Sequence, residues 1–126
     1  MSLETNKAVA VKFLTSMGSA DGVDEGLVTQ DCEWWARGQG TMTIPQLKQL
    51  VVKMKPLMPQ VPEMTVVGLT AEDDRVAAEV TGKCLLATGK RYDNVYHFLL
   101  HFKNGKICKV KEFCDTQLAA SVLGTG

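Results

Sequence analysis

The spacing of apolar residues changes period once along this chain, at Glu63, and no other feature restricts the fold as much. Upstream of it the steps are three and four residues, as one face of a helix requires. Val9, Phe13, Leu14 and Met17 form the first such stripe, with Thr5 or Asn6 as its N-cap and Gly18 as its stop. Asp21 and Asp24 open a short second helix through Val23, Leu27 and Val28. Gln30-Asp31 interrupts it, and residues 32–36 read as a short strand carrying Trp34 and Trp35. Thr43 is the expected N-cap of a third helix. Pro45 stands in its first turn, and Ile44, Leu47, Leu50, Val51 and Met54 make an apolar face that must end before Pro56. Pro56, Pro59 and Pro62 then make a stiff crossing.

Downstream the pattern is extended over 64–70, 76–87, 91–103 and 106–115, divided by Glu72-Asp73-Asp74, Thr88-Gly89 and Asn104-Gly105. Asn104-Gly105 is the strongest turn signal, because a two-residue hairpin needs positive φ at both central positions and Asn and Gly tolerate it best. Four antiparallel strands are expected, then a terminal helix over 116–123 ending at Gly124. Helices first and a sheet afterwards define an α+β protein.

A chain of 126 residues, 45% apolar and 22% charged, is expected to form one domain over 1–126 with one core and one small-molecule cavity. Fourteen Lys and Arg balance fourteen Asp and Glu, so nothing favours nucleic acid as a partner. No apolar run approaches the roughly 20 residues of a membrane span. The N-terminus lacks the basic and apolar regions of an export signal, so a soluble cytoplasmic protein without a membrane partner is expected. Cys32, Cys84, Cys108 and Cys114 show no C-x-x-C spacing and read as reduced thiols among apolar neighbours, with neither a metal nor a cofactor implied.

The chemistry depends on which face of the sheet each side chain joins. Over 76–87, alternation allows two assignments. One buries Val76, Ala78 and Val80 and leaves Glu79 and Thr81 in water; the other turns Glu79 and Thr81 inward. In the next strand the aromatic-rich set Tyr92, Asn94, Tyr96, Phe98, Leu100 and Phe102 should be inside, which places His97 and His101 outside, nearer a subunit contact than a metal. Pairing back across Thr88-Gly89 sets Tyr96 opposite Thr81 and Phe98 opposite Glu79, which favours the inward glutamate. In the last strand, strict alternation from Ile107 would bury Lys109 and Lys111 without partners. A one-residue bulge near Ile107-Cys108 avoids this and turns Val110, Glu112 and Cys114 inward. Glu79 and Glu112 then flank one cavity, where at least one should hold its proton unusually tightly. Trp34 supplies an apolar wall, Asn94 and Tyr96 supply hydrogen-bond groups, and Asp115 is either a helix cap or a further ligand group. The inward assignment also sends Val80, Cys84, Leu86, Val95, Leu99 and Phe113 to the outer face, an apolar patch that calls for a second copy of the chain.

Three helices before a curved antiparallel sheet, with Asp31-Cys32-Glu33-Trp34-Trp35 after the second helix, resemble the nuclear transport factor two-like superfamily. Within it, Asp74-Arg75-Val76-Ala77-Ala78-Glu79, Gly89-Lys90-Arg91-Tyr92-Asp93-Asn94-Val95-Tyr96 and Lys111-Glu112-Phe113-Cys114-Asp115-Thr116 are similar to the SnoaL-like polyketide cyclase branch. The resemblance implies a cone-shaped α+β barrel with a ligand cavity in its mouth and a dimer across the outer sheet face. It also implies an acid near Glu112 that serves ring closure. The Asp-Arg-Asp set of limonene-epoxide hydrolases falls on Thr81, Glu79 and Glu112, of which only Glu112 keeps its character, and ketosteroid isomerases carry a base where this chain has Trp34 and Trp35.

The expected function is therefore an acid/base cyclase or isomerase acting on a hydrophobic carbonyl compound. Glu112 and Glu79 would be catalytic, and Trp34, Thr81, Asn94, Tyr96, Phe98, Cys114 and Asp115 would line the ligand. The alternatives are a homodimeric module that only binds a hydrophobic ligand and, third, an epoxide hydrolase.

Overall fold

The computed structural model describes residues 2–19 and 22–124. In chain order they form α1 (Leu3–Ser16), a 3-10 turn (Glu25–Leu27), β1 (Val28–Ala36), β2 (Gly40–Thr43), α2 (Ile44–Met54), β3 (Glu63–Glu72), β4 (Arg75–Lys83), β5 (Asn94–Lys103), β6 (Lys106–Cys114) and α3 (Thr116–Leu123). One six-stranded sheet has the order β2-β1-β6-β5-β4-β3, antiparallel throughout except for the β1/β6 pair. Three helical segments thus precede the last four strands, in the α+β arrangement expected.

Ser2 caps α1, its hydroxyl accepting the Thr5 N–H at 3.0 Å, one turn earlier than Thr5 or Asn6 would have done. Asn6, Ala10, Phe13 and Leu14 make the buried stripe that lies on β3 and β4. Each of the two large side chains contributes roughly 2 kcal/mol by leaving water. Asp24 caps the 3-10 turn through the Gly26 N–H, whereas Asp21 lies outside the described residues. The strand expected from Cys32 begins at Val28, because Val28 pairs with Ile107 of β6. Thr43 and Gln46 form a reciprocal capping box at the start of α2, with Pro45 in its first turn. Val51, expected on the apolar face of that helix, is exposed.

Asn104 and Gly105 both take positive φ, 53° and 80°, and join β5 to β6 directly. The bulge lies where the cost of burying lysine demands it: Phe102 pairs with Ile107 and His101 with Lys109, leaving Cys108 without a partner. Ile107 and Val110 are accordingly buried and Lys109 exposed.

The β4/β5 hairpin departs from the expected register by one residue. Its turn is not Thr88-Gly89 alone: Leu86 N–H donates to the Lys90 carbonyl at 2.9 Å, and Ala87, Thr88 and Gly89 form a three-residue loop with Gly89 at φ 87°. Val80 therefore faces Tyr96, Glu79 faces His97 and Thr81 faces Val95. A slip of one residue moves every side chain to the other face. Glu79 is exposed on the outer face and Thr81 shares that face, while Val76, Ala78 and Val80 are wholly buried.

The outer patch shrinks correspondingly. Val80 joins the main core, and Cys84 and Leu86 join Tyr92 in a smaller cluster packed by Leu57, Met58 and the apolar side of α3. Val95, Leu99 and Phe113 remain outside. Among the described residues no helix is long and apolar enough to cross a membrane.

Candidate functional site

Of the carboxylates among the described residues, Glu112 alone is not exposed. The bulge at Cys108 sets its parity, and the register places it between Phe98 of β5 and Ala36 of β1. Trp34, two residues before Ala36, points to the same side and donates its Nε1–H to Glu112 Oε1 at 2.8 Å. The indole is 1% exposed. It lies 5.8 Å from the Phe13 ring in a tilted contact and 6.0 Å from Phe98 edge to face. Burial pushes the Glu112 carboxyl above the usual carboxylate range, and the indole N–H offsets part of that rise by favouring the ionised form.

Tyr96 pairs with Cys114 and stacks on Phe98 with centroids 5.7 Å apart and rings nearly parallel. A Cβ on Gly82 would stand 3.6 Å from the Tyr96 hydroxyl and 3.1 Å from Met64 Sδ, so the glycine makes room for the phenol. Burial raises the pKa of Tyr96, and it raises that of the Cys114 thiol too, helped by Glu112 and Asp115. Both groups stay neutral at physiological pH, and a hydrogen bond to Tyr92 helps to raise the Tyr96 phenol. Glu112, Tyr96 and Cys114 are the partly exposed members of an otherwise buried surface. The arrangement can transfer a proton at one carboxyl oxygen and donate a hydrogen bond from a phenol nearby.

The structure thus brings together Glu112, Trp34, Phe98, Tyr96 and Cys114, and it separates Glu79 and Thr81 from them. Asn94 lies beside the site with its amide fully engaged. Nδ2 donates to the Tyr92 hydroxyl (2.8 Å) and the Asp115 carbonyl (3.2 Å), and Oδ1 accepts from the N–H groups of Val95 (2.7 Å) and Asp115 (3.2 Å). Nothing remains on that amide for a ligand. Asp115 is exposed and caps α3, accepting the Leu118 N–H at 3.0 Å. Sequence reasoning missed Phe13 and Gly82 as supports of the site; the helical stripe that contains Phe13 was the available signal. Among the described residues no three metal-ligating side chains converge.

The six-stranded mixed sheet with a long helix packed on it is the fold of a nuclear transport factor two-like protein from Cytophaga hutchinsonii, which superimposes with a TM-score of 0.68 at 17% identity, covering 90% of this chain and 98% of its own. The model of the SnoaL-like domain matches residues 15–110, and the chain belongs to that family. Solved structures agree. PrhC from Penicillium brasilianum superimposes with a TM-score of 0.84 at 15% identity, covering 97% of this chain and 87% of its own. AclR from Streptomyces galilaeus, a candidate hydroxylase, gives 0.80 at 18%, covering 99% and 88%. A candidate SnoaL-like polyketide cyclase from Jannaschia sp. CCS1 gives 0.77 at 14%, covering 98% and 94%. Among curated proteins none matches the sequence.

Proposed function

We propose that this protein is a small-molecule enzyme of the cyclase or isomerase type, in which Glu112 moves a proton at the carbon beside a carbonyl of a hydrophobic compound. The observation that carries the reading is the one carboxyl among the described residues that is not exposed, raised in pKa by burial and set among Trp34, Phe98 and Tyr96. A group that keeps its proton closer to neutrality can both take and return one during turnover. Tyr96 would donate to the carbonyl oxygen, and Cys114 would line the mouth beside it. The name polyketide cyclase that one neighbour in fold carries supports a reading of the cyclase type. With Glu79 outside, the site has one carboxyl instead of two, which favours a module that only binds a hydrophobic ligand as the second reading.

Stability measured against pH tests the role of Glu112. Its folded pKa lies above the ordinary value of 4.5, so between the two the folded chain alone holds the proton. Stability must fall as pH rises through that interval, by about 1.4 kcal/mol for each pH unit over which only the folded state is protonated. Glu112→Gln keeps an acceptor for the indole and removes the titration. The variant should match the wild type at acid pH and exceed it in stability near neutrality. Coincident pH profiles would remove the acid/base reading.

The same proposal includes a homodimer formed through the outer face of the sheet, in the cytoplasm. Val95 is 62% and Phe113 40% exposed there, and Phe113 lies against Trp35 with ring centroids 5.2 Å apart. The thiols of all four cysteines are free, which fits a reducing compartment. Val95→Glu should convert a dimer into a monomer in sedimentation at micromolar concentration, without changing the circular dichroism. A wild-type chain that sediments as a monomer would contradict the dimer.

A further inference from the structure

The hydrogen bond between Trp34 and Glu112 does more than fill space, because its two ends differ in chemical capacity. An indole N–H donates and never accepts. When Glu112 is neutral, its two oxygens are unlike: one carries the proton and the other, carbonyl-like, is the better acceptor. The indole occupies Oε1 at 2.8 Å, so the proton settles on Oε2. Trp34 is buried and held between Phe13 and Phe98, which leaves the N–H no water to turn to and the ring no second orientation.

We infer that Trp34 is the positioning residue of this site: its indole N–H holds Oε1 and leaves Oε2 as the one oxygen through which Glu112 gives or takes a proton. The inference rests on the reading of Glu112 as the proton-transfer group. The titratable side chains near the carboxyl are Tyr92 and Tyr96 on the β5 side and Cys114 on β6, all with pKa values raised above their ordinary ones. Among the buried residues of β1 and β4 the one titratable side chain is Cys32, whose thiol burial pushes up to about 12, and Ala36, Val76, Ala78 and Val80 carry no charge. Glu112 therefore titrates against neutral neighbours.

Nitrogen-15 labelling gives two indole resonances, from Trp34 inside and Trp35 on the outer face. The Trp34 Nε1–H signal should move with pH at the same midpoint as the Glu112 carboxyl carbon, and the Trp35 signal should not follow that midpoint. In Glu112→Gln the Trp34 signal should cease to move. In Trp34→Phe, which keeps an aromatic ring and loses the donor, the Glu112 midpoint should shift further upward. A Trp34 signal indifferent to the Glu112 titration, or an unchanged midpoint in Trp34→Phe, overturns the positioning role. If Trp34→Phe does not fold, the wild-type and Glu112→Gln spectra decide the matter alone. Failure of the underlying reading shows elsewhere, as an ordinary Glu112 midpoint in the wild type.

Discussion

Replacing Asn94 by aspartate should destabilise the protein by about 4 kcal/mol at neutral pH, since it removes two buried donors and puts a negative charge in their place. The side chain is 3% exposed. Through Oδ1 and Nδ2 it holds both the N–H and the carbonyl of Asp115, as a neighbouring strand would, and so ends β6 and launches α3. The carboxylate would face the Asp115 carbonyl and the Tyr92 hydroxyl instead. The loss should appear as a fall in melting temperature of roughly 15 °C. It should shrink in acid, where a protonated aspartic acid regains one donor. Amide exchange should locate it: protection in Thr116–Leu123 should collapse before that of the central strands. Uniform loss across the sheet would show that Asn94 supports the core and not α3.

The second large effect is expected at Gly18, where α1 approaches the segment entering β3. A Cβ there would stand 2.6 Å from the Pro62 carbonyl oxygen, a backbone atom that cannot turn aside, and 3.6 Å from the Met64 nitrogen. Gly18→Ala must lift the helix end off the sheet and should cost about 2 kcal/mol, lowering the urea midpoint by about 1 M. Gly68→Ala is the control. A Cβ at Gly68 meets nothing within 4 Å, and that residue has no positive φ. The substitution should be neutral or stabilising by up to about 1 kcal/mol. Equal losses in the two variants would refute the close approach at Gly18.

Most local decisions in this fold could be read directly from residue types. Asn104-Gly105 announced its turn, Thr43 and Pro45 the start of α2, and Asp115 and Gly124 the two ends of α3. The bulge at Cys108 was legible too, because the alternative placed two lysines in a core without partners. Glu112 followed from that bulge. Strand β2 and the first residues of β1 escaped notice. Thr29-Gln30-Asp31 has no apolar alternation, and the strand is irregular there, paired with β6 at Val28 and again only from Glu33, far off in sequence.

The side on which Glu79 stands was beyond the sequence, for a reason that is purely geometric. Gly89 accepts positive φ in a two-residue or a three-residue turn alike, and the choice between them transfers the whole of β4 from one face to the other. Apolar periodicity, turn chemistry and the cost of burying charge are local or nearly so, and by themselves they determined the α+β order of elements, the inward aromatics and the inward Glu112. The contact of Trp34 with Glu112 joins residues 78 positions apart. It exists only because β1 runs parallel to β6, a pairing between distant strands that no local preference encodes, and the tertiary structure alone decided it.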